Sequence, residues 1–128
     1  MSQSTVPIHV QFAKAGSLYR LDACVSPLLL REIPLVVELF TAHWAKPEEV
    51  ERAQVKGATA LTLSAEQQIR AGERADSVAR ALTWAIWKRL DRYVKVTIEA
   101  TYLGESQDQH FEYGEAAYTE AFGARFEN

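Results

Sequence analysis

Residues 81–103 read ALTWAIWKRLDRYVKVTIEATYL, and the spacing of the apolar residues changes within a few positions. Ahead of Leu90, with Leu82 as the zero direction at 100° per residue, Ala75, Val78, Ala79, Ile86 and Leu90 fall within about 80° of it, a core-facing helical stripe. From Tyr93 the period becomes two. Val94, Val96, Ile98, Ala100 and Tyr102 point one way, and Lys95, Thr97, Glu99 and Thr101 the other. A strand with one apolar and one polar face belongs to a sheet wetted on one side, as antiparallel sheets are. The apolar face needs a cover, and the amphipathic helix just before it has the matching stripe. The expected fold is therefore α+β, an antiparallel sheet packed on one face by a long helix, with short accessory helices.

The remaining elements follow from local chemistry. Val6, Ile8, Val10 and Phe12 alternate with polar positions, and after the turn-like KAGS so do Tyr19, Leu21, Ala23 and Val25, which predicts a β-hairpin over about 6–25. Ser26-Pro27 predicts a helix start, because a serine hydroxyl caps a free N–H and proline lacks one. Pro34 then ends that first short segment and starts a second, which carries Val36, Val37, Phe40 and Trp44. KPEEVERAQVKG reads as a short helix, with acids in its first turn and Gly57 past its end. ATALTL is a candidate strand, and Ser64 with Gln67 a capping box that opens the long helix at about 64, unless Gly72 divides it. GESQDQ is read as a loop and EYGEAAYTEAF as a terminal helix. No repeat or interdomain linker divides residues 1–128, which read as a single domain.

Two of the three tryptophans raise a separate question. Trp84 and Trp87 lie nearly opposite the core stripe of the helix, beside Glu73, Arg80 and Asp91. Each indole can bury roughly 150–250 Å². Either the carboxy-terminal aromatics cover them, or Trp84, Trp87, Arg80 and Asp91 form an interaction surface for a partner or a second copy, where tryptophan often dominates the energy.

Reaction chemistry is sparse. His9, His43 and His110 are far apart, with no ligand spacing such as HExxH, and the single cysteine, Cys24, builds no thiolate site, so no metal or other cofactor is expected. One cysteine also fits a reducing compartment. The six glycines are scattered and none sits in a phosphate-binding loop. Lys88, Arg92 and Lys95 are the candidate phosphate contacts, and with the tryptophans nearby they suggest a stacking platform for a single strand. A net charge of −3 and a pI near 5.6 weigh against nucleic acid. Arg89 follows the core stripe and should either snorkel or meet an acid. There is no signal-like amino terminus and no apolar run of the roughly 20 residues that would span a membrane, so the expected location is cytoplasmic.

The sequence thus points to a small non-catalytic protein-interaction module that self-associates, most simply as a homodimer. One alternative is a small enzyme or small-molecule binder whose site gathers His43, His110 or Cys24 with a carboxylate. The other is a nucleic-acid-binding accessory protein.

Overall fold

The computed structural model describes residues 17–70, 72–105 and 107–123. Five strands form one antiparallel sheet: β1 (Leu18–Leu28), β2 (Glu49–Val55), β3 (Ala58–Gln68), β4 (Lys95–Tyr102) and β5 (Gln107–Tyr113), in the order β2-β3-β1-β4-β5. Helix α1 (Ile33–His43), preceded by a 3-10 turn at Leu30–Glu32, connects β1 to β2. Helix α2 (Ala75–Leu90) connects β3 to β4, and α3 (Glu115–Phe122) follows β5. The expected α+β class with an antiparallel sheet is what forms. Through β4 the connectivity is β-α-β-β-α-β, a split βαβ in which β1 lies between the two strands it must pair.

The register sorts the side chains. Val25 stands opposite Leu61 and Val96, Ala23 opposite Leu63 and Ile98, and Leu21 opposite Ala65 and Ala100, all of them buried. These residues share one core with Ile33, Val36 and Phe40 of α1 and with Val78, Ala79, Leu82 and Ile86 of α2. At roughly 25 cal/mol per Å² of apolar surface removed from water, this layer is the main source of the fold's stability.

Several sequence expectations are corrected. The strand expected over residues 6–13 lies outside the described residues; of the expected hairpin the structure describes β1. β3 takes one edge of β1 and β4 the other along most of its length. Ser26-Pro27 does not open a helix. It falls inside β1, where the register with β3 shifts between Val25 and Leu28, a place where a missing N–H is tolerated. Pro34 does stand in the first turn of a new helix, α1.

KPEEVERAQVKG is not a helix. Its Glu49–Val55 portion is β2, an edge strand exposed at every position. Gly57 is not a helix cap but the second central residue of a two-residue hairpin loop, with φ of 53° at Lys56 and 80° at Gly57. Positive φ at both is what a type I′ turn requires. Likewise the long helix does not begin at 64. Leu61, Leu63 and Ala65 continue the strand alternation to Gln68, and Gly72 (φ 83°) lies in the turn before α2. Ser77 closes the start of that helix, accepting from the N–H of Arg74 at 3.2 Å and donating to its carbonyl at 2.8 Å. Residues 107–109, read as loop, and Glu112 and Tyr113, read as the start of the terminal helix, belong to β5, and the helix begins only at Glu115.

An ion pair with a buried carboxylate and a part-exposed guanidinium fixes the connections at one end. Glu32 is buried, accepts the Leu29 N–H at 2.9 Å and receives Arg92 on both carboxylate oxygens, through Nε at 3.0 Å and through Nη2. Arg92 also donates to the Pro27 carbonyl at 2.8 Å. The hydrogen bond from Arg92 holds the Glu32 carboxyl below its ordinary pKa, outweighing the opposing effect of burial.

Candidate functional site: the open face of the sheet

Trp84 and Trp87 answer to the first of the two accounts. Trp87 is 1% exposed, and its indole N–H donates to the Val94 carbonyl at 2.7 Å. Asp91, in the left-handed conformation, ends α2 and lets the chain double back beneath the ring. Tyr118 and Phe122 of α3 meet Trp87 edge-on, with centroids at 5.3 and 6.1 Å. Trp84 is half-buried, 5.0 Å from Trp87 and edge-on to Tyr113 at 5.6 Å. The carboxy-terminal segment therefore covers these rings within one chain. Of the four residues expected to form an interaction surface, Trp87 offers no area while α3 is seated. Arg80 and Asp91 are exposed.

The three candidate phosphate contacts are differently placed. Arg92 is committed to Glu32, and Lys95 pairs with Glu112 at 2.8 Å. Lys88 is exposed, with no ion-pair partner among the described residues. Arg89 meets an acid, Glu38 of α1, at 3.5 Å. His43 ends α1 in the helix layer, and His9 lies outside the described residues.

The other face of the sheet brings together residues that sequence reading kept apart. Opposite the core side, β1 presents Arg20, Asp22, Cys24 and Ser26, none of them fully buried. The register lays two rows across all five strands. One is Glu49, Ser64, Asp22, Glu99 and His110, and the other is Glu51, Thr62, Cys24, Thr97 and Glu112. Four strand intervals of about 4.8 Å make each row roughly 19 Å long. With Glu66 and Asp108, seven carboxylates stand on this face against Arg20, Lys95 and the neutral-or-charged His110.

Charge on the face is arranged in local bonds. Arg20 donates through Nε to Asp22 at 3.1 Å and through Nη2 to Glu49 at 2.8 Å, contacts that raise its pKa, the bond to Glu49 first. Ser64 donates its hydroxyl to Asp22. His110 has Nδ1 3.3 Å from Glu99 and Nε2 3.7 Å from Glu112. Lys95, by its hydrogen bond, holds Glu112 below the ordinary carboxylate value. One feature opposes stability: Asp22 and Glu99 are directly opposite on β1 and β4. Like charges so placed are destabilising. The bonds carry the two apart, Asp22 toward Ser64 on β3 and Glu99 toward His110 on β5.

Sequence reading had the polar half of β4 but not this site, because β2 and β5 were not read as strands. Alternation of Asp22, Cys24 and Glu99 with core residues was the usable signal. Comparison with protein-family models, with curated proteins and with solved structures gives no match. Among the described residues, no group of three or more histidine, cysteine or acidic side chains is placed to hold a metal ion. No helix there is long and apolar enough to cross a membrane.

Proposed function

We propose that this chain is a non-catalytic protein-interaction module whose working surface is the open face of its sheet, and that the partner presents basic side chains to it. The observation that supports this reading is the opposed pair Asp22 and Glu99, in one row with Glu49. A face that only had to be wetted would do as well with threonine or glutamine there, without the repulsion. Residues that cost stability where they stand are the ones to suspect of function. The same charge argues against two copies meeting through this face, since seven carboxylates would confront seven more. Cys24 and His110, the candidates for a nucleophile and its base, share the face but sit in different rows, two strands apart.

The test uses Glu99→Gln, which removes one charge and keeps the shape. The variant should be more stable than wild type by a few tenths to 1 kcal/mol, the size of a cross-strand pair, in urea denaturation. It should also retain less of any partner captured on immobilised protein, and that capture should fall with salt. Unchanged, salt-independent capture would remove the open face from consideration.

A further inference from the structure

Helix α3 has eight residues, none of them buried, yet the ring beneath it is 1% exposed. Isolated helices much shorter than about 12–15 residues are marginal in water. So α3 owes its helical state to docking, chiefly of Tyr118 and Phe122, one turn apart, on Trp87. The receiving surface is built by other elements: Trp84 and Trp87 of α2, Tyr93, and Tyr113 of β5. One residue joins α3 to the sheet, Gly114, in an extended conformation (φ −102°, ψ −167°). Among the described residues β5, to which it is joined, is an edge strand, so α3 can swing outward without threading past another described element.

We propose that α3 is an exchangeable cover, and that a second copy of this chain supplies its α3 in trans, giving a homodimer by reciprocal swap. The occupant that fits the aromatic groove is shown by the structure itself. An exchanged α3 makes the same ring contacts, so the swapped and closed forms differ in the Gly114 torsions and in association entropy. Exchange of an identical element is a low-cost route to a dimer. α3 carries Glu115 and Glu120 and no base, while Lys88 in the last turn of α2 is exposed, which favours this helix over a basic one. The charged sheet face takes no part, so this inference stands or falls separately from the function proposed above.

Hinge length decides the matter. Deleting Gly114 in the full chain shortens the hinge so that α3 cannot fold back onto its own α2. The deletion variant should be a dimer at micromolar concentration, with tryptophan emission as blue as wild type. Adding Tyr118→Ala and Phe122→Ala to it should return a monomer with red-shifted emission. A monomeric deletion variant, or a dimer that survives loss of both rings, overturns the proposal. Should the deletion variant fail to fold, wild type serves: held at millimolar concentration and then diluted, it should give a dimer peak on size exclusion that the Tyr118→Ala, Phe122→Ala chain lacks. Absence of that wild-type peak overturns it equally.

Discussion

Strand β4 has two sides with opposite physics. Toward the helices, Val96, Ile98 and Ala100 are wholly buried, and beyond β4 the same layer runs on through Trp87 to the rings of α3. Away from the helices, Lys95, Thr97, Glu99 and Thr101 lie among charged neighbours, and Glu99 directly faces the acid Asp22. The first side gains free energy from each contact it makes. The second spends some of it in the pairing of Asp22 with Glu99. A polypeptide this short has little stability to give away, roughly 5–15 kcal/mol in all. The difference assigns the helix side to holding the fold; the open side, which gives some stability away, is the surface proposed above for a partner.

That division is broken most directly at Trp87. Trp87→Ala removes a buried ring and should cost about 3–5 kcal/mol, read as a lower midpoint in urea denaturation. Trp87→Phe keeps most of the ring but leaves the Val94 carbonyl without its donor, at about 1–3 kcal/mol for the buried unpaired group. If both changes were tolerated within 0.5 kcal/mol, the aromatic layer would not be structural.

A smaller effect, with a pH signature, is expected where Glu32 meets Arg92. Glu32→Gln should destabilise by about 1 kcal/mol at neutral pH, since it removes a charge-assisted pair while the part-exposed guanidinium of Arg92 can still be hydrated. The carboxyl is held below its ordinary pKa in the folded state. Its contribution is therefore complete above the unfolded value, about 4.3, and is lost as pH falls through the lower folded value. Stability curves for wild type and Glu32→Gln should converge below about pH 4. A gap that stayed constant from pH 7 to pH 3 would place the effect in packing and not in charge.

How much of this was readable beforehand varies with burial. α2 and β4 were legible because each has one buried face, and burial imposes a period: Leu82 and Ile86 in the helix, Val96 and Ile98 in the strand. β2 was not, because an edge strand exposed on both sides has no period to read. Its Glu, Arg, Ala and Gln then follow their helical propensity on paper, while pairing with β3 decides the outcome in the molecule. Gly57 misled for a related reason. Positive φ suits a helix end and a type I′ turn alike, and only the partner strand tells them apart. For Trp87 the sequence left two accounts open, because the helical wheel describes one helix; that the carboxy-terminal rings are the cover depends on where α3 docks, which the wheel omits. The charged rows were out of reach, since they depend on the register of five strands of which two were unrecognised.

The smallest effect tests the open side at its centre. Cys24 stands half-buried between Thr62 and Thr97, on a β1 position that alternates with the buried Ala23 and Val25. Cys24→Ser exchanges a small, weakly polar group for a hydroxyl among hydroxyls, and should change stability by less than about 1 kcal/mol, as surface-side substitutions do. Cys24→Leu sharpens the comparison. On the helix side an added side chain of that size would overpack and cost about 1–3 kcal/mol. On an open face it has room to rise between the rows, so thermal and urea midpoints should again move little. Partner capture should fall in the leucine variant and not in the serine one, because the leucine stands up between the charged rows and holds a docked surface off them. If instead Cys24→Leu unfolded the protein, some element would have to be packed on this face, and the open side would belong to the core as much as Trp87 does.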